Sequence, residues 1–388
     1  MPIYHKLGQV PHKRHTQFRN PKGELYQEHL FGVKGFSGMY SLLYRHYSPC
    51  EVRKVEFTGK ESRPKLAGQS SLMHKHLALA DVKPEGTAVS GRVTLLINED
   101  ISIGYCLPKE AMTDFYTNAL CDEVIFVHEG QGKFASMFGS MDYRAGDYIV
   151  IPKGTIYQLQ PVLSKPTRYL VIETPGNIDL PKKYLNEYGQ LLEHSPYYAR
   201  DFRLPQELFT SDERGDFIVD VKGPHNWVRY HMAHHPFDVV GWDGYLYPYI
   251  FNIEDFEPIT GRVHQPPPVH QTFAGPNFVL CSFVPRLFDY HPQAVPVPYN
   301  HSNVQSDEVL YYVSGDFMSR KGIGKASITL HPAGIPHGPH PGTVEPSLGK
   351  QKTEEVAVMV DTFRPLHLTE VATRFEDSNY AQSWLIAD

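Results

Sequence analysis

Residues 298–315 read PYNHSNVQSDEVLYYVSG, and residues 332–340 read PAGIPHGPH. In the first stretch His301 precedes an acid, Glu308, by seven residues, and Gly315 follows that acid by seven more. EVLYYVSG mixes β-branched and aromatic residues and stops at a glycine, the composition of a short strand running into a turn. The second stretch puts His337 just beyond a Pro-x-Gly turn. The same spacing occurs earlier in the chain. EVIFVHEG (123–130) sets Glu123 seven residues ahead of Gly130, and PKGTIY (152–157) supplies the matching turn. The distance from acid to turn is 29 residues in the first copy and 24 in the second. A repeat on this scale indicates one β unit built twice.

The segments between these motifs have the same character. VTLLIN (93–98), DYIVIP (147–152), RYLVIET (168–174), FVLCSFV (278–284), ASITLHP (326–332) and EEVAVMVDTF (354–363) are short runs bounded by Gly, Pro, Asn or Asp. A chain of 388 residues is long for a single core, and with the repeat it divides into two mainly β lobes. One stretch has helical spacing. In PKKYLNEYGQLLEH (181–194), Tyr184, Leu185, Tyr188, Leu191 and Leu192 fall on one face behind Pro181, a residue suited to a first turn. The predicted organisation is an N-terminal lobe over 1–178, a linker helix within 179–200 and a C-terminal lobe over 201–388.

Apolar residues make up 41% of the chain and charged residues 21%, the balance of a globular protein. The net charge of −6 excludes a broad basic surface for nucleic acid. The basic stretch HKRHTQFRNPK (12–22) is broken by aromatic and polar residues and reads as a solvated or interface segment. Cys50, Cys106, Cys121 and Cys281 stand far apart without a C-x-x-C pair, as reduced thiols do. No apolar run approaches the ~18 residues of a membrane span, and the N-terminal segment lacks the apolar core of a secretory leader. The expected location is cytoplasmic, with no membrane partner.

His301-x-Asn303-x4-Glu308-x6-Gly315, followed by Pro332-x-Gly334-x2-His337, resembles the paired motifs of the cupin superfamily. That resemblance implies two jelly-roll (double-stranded β-helix) barrels whose motif side chains converge inside. The first copy carries Tyr116 and Tyr157 where histidines should stand, so the N-terminal barrel keeps the pattern and loses the ligands. In the second, two imidazoles and a carboxylate, His301, Glu308 and His337, form a facial triad suited to Fe(II) with open positions for a bidentate diol and O2. Asp307 is the rival acid; Glu308 is preferred because its spacing to Gly315 repeats that of Glu123 to Gly130.

The resemblance narrows further. PFDVVGWDGYLYPYIFNIEDF (236–256), the PHGPH turn, LLYRHY (42–47) and HTQFRNPKGELYQEHLFG (15–32) resemble the homogentisate 1,2-dioxygenase family. The resemblance implies Fe(II)-dependent opening of the homogentisate ring by O2 to maleylacetoacetate, in tyrosine and phenylalanine catabolism, by a homo-oligomer, a trimer or hexamer. It places a base at His264 in RVHQPPPVH, with His270 as the alternative, because a diol must lose protons to chelate iron. His331 is assigned a hydrogen bond to substrate or peroxo group, or else the orientation of a metal ligand. Substrate contacts fall on His337, Asn303 and position 317. There the family's tyrosine is replaced by Phe317, leaving its phenol to Tyr311 or Tyr312. Three other functions remain open at this point: cleavage of another para-diol such as gentisate, a non-catalytic metal- or ligand-binding bicupin, and a sugar isomerase. The aromatic, Pro-rich segments around the motif, with few Lys or Arg, suit a flat ring better than a phosphosugar.

Overall fold

The structure, a computed structural model, describes residues 3–68, 71–315 and 322–385. It is mainly β. Among the described residues every helical segment is a 3-10 turn of five residues or fewer, and no helix is long and apolar enough to cross a membrane.

The molecule is organised around an eight-stranded sheet that contains Asp122–Glu129, Asp147–Ile151 and Arg168–Thr174. Side chains alternate across a strand, so each of these segments serves two cores. Val124, Phe126, Tyr148, Leu170 and Ile172 face one way, onto Phe273, Leu280, Val309, Tyr311 and Val360 of a six-stranded sheet. Ile125, Val127, Ile149, Tyr169 and Val171 face the other way, into a core that also holds Tyr116, Phe134, Tyr157 and Leu159 of a seven-stranded sheet. A sheet covered on both faces explains why EVIFV and YLVI are continuous apolar runs where a half-exposed strand would alternate.

The repeat seen in the sequence is a repeat of geometry. Gly130 and Gly315 both end their strands at positive φ, +100° and +105°, and a Cβ at either would press into the neighbouring backbone or side chain. Gly154 and Gly334 match likewise at +82° and +79°.

The predicted linker helix is absent. Residues 182–184 make one 3-10 turn, after which the chain reverses in a tight hairpin closed by the Leu185–Leu191 bridge. Asn186 decides this: its side-chain oxygen accepts from the backbone N–H groups of Tyr188 and Gln190, and Gly189 sits at φ +78°. A side chain that bonds its own backbone competes with helix, and Tyr188, assigned to the buried face, is exposed.

The lobes are also not divided near residue 200. Arg214–Lys222 pairs in parallel with Phe115–Asn118, Val239–Gly244 pairs with Tyr40–Arg45, and Tyr249–Asn252 pairs with Asp147–Ile151. Residues 214–252 therefore complete the first lobe. In the opposite direction, Lys75–Ala78 crosses to form the edge of the six-stranded sheet beside Ser327–His331. Strand pairing is non-local, and a boundary placed by linear spacing could not register these exchanges.

His128 ties the two lobes together. It is buried, and its Nδ1 lies 2.5 Å from the hydroxyl of Tyr311 on the facing sheet. Burial lowers its pKa to about 4, whereas an unfolded histidine titrates near ~6.5. The native state thus refuses a proton that the unfolded chain accepts, so this contribution is complete above about pH 6.5 and is lost as pH falls towards 4. Urea titrations of wild type and His128→Leu should show the stability gap between them narrowing by up to about 3 kcal/mol between about pH 7 and pH 4. A constant gap would contradict this account.

Candidate metal site and active-site cavity

Glu308 and His331 face each other across adjacent strands, Asp307–Ser314 and Ser327–His331. His301 and His337 lie on the loops beyond and are joined by reciprocal backbone hydrogen bonds, His301 N to His337 O at 2.8 Å and His337 N to His301 O at 2.9 Å. Two segments more than thirty residues apart in sequence are thereby locked side by side, with the imidazole centroids 4.2 Å apart.

Each ring has its Nδ1 engaged by a carbonyl two residues upstream: His301 with Tyr299 O and His337 with Ile335 O, both at 3.1 Å. Donation from Nδ1–H to a carbonyl fixes the tautomer and leaves Nε2 with its lone pair. The two Nε2 atoms stand 3.6 and 3.5 Å from the Glu308 carboxylate. One ligand atom from each of His301, Glu308 and His337 falls within a 4.8 Å group. His337 Nε2 is buried and makes no hydrogen bond of good geometry. A buried nitrogen without a hydrogen-bond partner is free to ligate, and two imidazoles with one carboxylate fit a divalent iron-group ion.

Burial alone would raise the Glu308 pKa, but the imidazoles of His301, His331 and His337 around it outweigh burial and hold the carboxyl well below the usual range. Of these partners His331 is the closest, its Nδ1 2.7 Å from Glu308 Oε1 and its Nε2 3.3 Å from the Tyr380 hydroxyl. The ring is fully buried and stacks on His337 at 4.6 Å. The ring is thereby in place to orient the carboxylate. Asp307, the rival acid, is spent on the backbone: its oxygens accept from Ala333 N at 2.8 Å and Leu366 N at 2.7 Å.

On Asp307–Ser314 the alternate residues Glu308, Leu310 and Tyr312 face a cavity of about 170 Å³. His264 and His270 both line it, and they differ sharply. His264 is 54% exposed and its Nδ1 lies 3.1 Å from Asp289 Oδ2, which leaves Nε2 as the basic nitrogen. His270 is buried against Phe283, and burial, followed by the charges of Arg286 and Lys183, pushes its pKa down to about 3. A ring so reluctant to take a proton is a poor base. Tyr311 is committed to His128, whereas Tyr312 lines the cavity. Asn303 is not among the cavity residues; its carbonyl accepts from Gly334 N. Phe317 lies outside the described residues.

The equivalent centre of the first lobe is filled from within the chain. Tyr116, Glu123 and Tyr157 gather as the repeat requires, but the guanidinium of Arg92 occupies their midst, 2.5 Å from Glu123 and 2.8 Å from the Tyr157 hydroxyl. Glu173 stands opposite Glu123 on the neighbouring strand and is paired with Lys222 at 2.5 Å.

A family model described as homogentisate 1,2-dioxygenase N-terminal matches residues 84–253. A protein of Saccharolobus solfataricus named "Putative dioxygenase" is 43% identical over 390 residues, covering 99% of both chains. The chain belongs to the homogentisate 1,2-dioxygenase family. Proteins named homogentisate 1,2-dioxygenase from Nitrobacter hamburgensis and Bradyrhizobium diazoefficiens are 27% and 25% identical, over 72% and 78% of this chain and 64% and 71% of theirs. A cupin 2 conserved barrel domain protein from Leptotrichia buccalis superposes with a TM-score of 0.35 at 10% identity, covering 75% of this chain and 96% of that one, a likeness too slight to argue from.

Sequence reasoning missed Asp289, which orients His264, and Arg92 in the first lobe. It also missed His74, whose ring packs edge-on to His331 and His337 at 5.4 and 6.0 Å. His74 is carried there by the exchanged strand Lys75–Ala78, and nothing local announces that.

Two expectations follow. Removing the central cation by Arg92→Met should destabilise the protein by about 3–5 kcal/mol, because Glu123 is left buried and unpaired. Adding Glu123→Gln should recover part of that loss in a thermal melt. In the second lobe His337→Ala should abolish stoichiometric Co(II) binding, followed by visible absorption. His331→Phe should retain one site but weaken it about 10–100-fold.

Proposed function

We propose that this dioxygenase family member is an Fe(II) enzyme that opens the ring of an aromatic para-diol, with homogentisate as the leading substrate and maleylacetoacetate as product. The observation that carries the reading is the convergence of His301, Glu308 and His337, the first two of which line a small cavity walled in part by Phe283, Leu310 and Met359. An apolar cavity on the order of 150 Å³ takes a benzene ring, and this one is of that size. The names of the more distant relatives point to the same substrate.

His301, Glu308 and His337 would hold the metal, which when bound supplies the electronic contact between an electron-rich diol and O2. The remaining work falls to this chain's own groups. His264 takes the hydroxyl proton at Nε2, and the Asp289 carboxylate stabilises the resulting imidazolium through Nδ1–H. His331 keeps the Glu308 carboxylate in its ligating orientation, with Tyr380 behind it. Phe283, Met359 and Leu310 exclude water from the ring.

Oxygen uptake by Fe(II)-loaded protein, prepared anaerobically and offered homogentisate, gentisate and hydroquinone in turn, tests the reading. The expected result is uptake with homogentisate, ring-opened product, and background rates for His337→Ala. Uptake with gentisate alone would move the substrate, and no uptake with any diol at full iron loading would reduce the chain to a metal-binding bicupin.

A further inference from the structure

The cavity wall carries a cation that the chemistry above does not use. Arg286 opens the two-residue ladder with Lys352–Thr353, and its side chain lines the same cavity as His301 and Glu308. Its Nη1 is buried and has no hydrogen-bond partner. The acids that act on it at longer range are Glu355 and Asp289. Asp289 is already taken up by His264 and by the backbone N–H groups of Gln265 and Gly261. Beside Arg286 stand Phe283, whose ring centroid is 5.8 Å from the guanidinium carbon, and His270, whose Nδ1 is likewise buried and unbonded.

A buried donor left unmade costs about 1–3 kcal/mol, and more when it is charged. Such a group lining a ligand cavity is satisfied when the ligand brings the acceptor. The surroundings define that acceptor. It is an anion, because the donor is a guanidinium. It is a carboxylate rather than a phosphate, because Arg286 is the single Lys or Arg among the cavity's lining residues, and a phosphate dianion calls for more positive charge. It hangs from a ring on a short arm, because Phe283, Phe288, Leu310 and Met359 give the wall apolar surface for a ring and the space is about 170 Å³.

We propose that Arg286 anchors a carboxylate of the substrate, making the cavity selective for aromatic acids over neutral diols of the same ring. The identity of the ring rests on the function proposed above; the anchor itself rests on Arg286 and its surroundings.

The test separates the two. Calorimetric titration of metal-free protein with phenylacetate and with phenylacetamide compares a charged arm with a neutral isostere and requires no variant. Wild type should bind the acid at least tenfold more tightly, and Arg286→Gln should lose that preference while binding the amide unchanged. In the Fe(II)-loaded enzyme, Arg286→Gln should raise KM for homogentisate tenfold or more, hold kcat within threefold, and leave KM for hydroquinone unaltered. Equal binding of acid and amide by wild type overturns the anchor, as does a retained acid preference in Arg286→Gln. An acid preference without oxygen uptake on any diol sustains the anchor and sinks the ring-opening reading. Ring opening with the same homogentisate KM in wild type and Arg286→Gln overturns the anchor and leaves that reading standing.

Discussion

A carboxylate sealed inside a β lobe must have positive charge beside it, and both halves of this molecule are built around that requirement. Moving a lone carboxylate out of water costs several kcal/mol even after relaxation, so a buried acid is neutralised, protonated or paired. Glu123 and Glu308 occupy equivalent places in the repeat and are both almost fully buried. In the first lobe the answer is internal: Arg92 reaches in, tyrosines replace histidines, and the centre is complete. In the second, no Lys or Arg is within ion-pair distance of Glu308 among the described residues; imidazoles surround it, His301 and His337 through Nε2 and His331 through Nδ1. A guanidinium completes the first centre, whereas the imidazoles of the second leave a site that could hold a metal ion.

The second lobe was the more readable of the two. The motif around His301, Glu308 and His337 is local, with its turns marked by Pro and Gly, so spacing alone brings into view the three residues that the fold gathers. The preference for Glu308 over Asp307 came from the repeat, and the structure gives Asp307 a separate task in the backbone. What spacing cannot supply is anything arriving from far along the chain. His74 arrives through non-local strand pairing, Asp289 and Arg92 meet His264 and Glu123 from distant positions in the chain, and their own neighbourhoods in sequence look ordinary. The linker helix failed for a different reason. Its apolar residues do recur at helical intervals, but Asn186 and Gly189 favour a turn, and backbone chemistry prevailed over periodicity.

The two histidines that competed for the role of base illustrate how environment separates identical side chains. His264 and His270 are six residues apart on one proline-rich loop and border one cavity. The first keeps water on one side and a carboxylate on the other. The second lies under Phe283 with cations near it, and is held neutral. Sequence assigns them equal chemistry; burial and neighbouring charge do not.

The crossing strand Lys75–Ala78, and the return of residues 214–252 to the first lobe, have a consequence for how this protein can change over time. A chain built of two similar units could in principle shed the inert one. Here each unit contains a piece of the other, and the edge strand of the six-stranded sheet is encoded between the early and the later strands of the first lobe. No single cut yields a half with its sheets intact. A change in either lobe therefore acts on the strands of both.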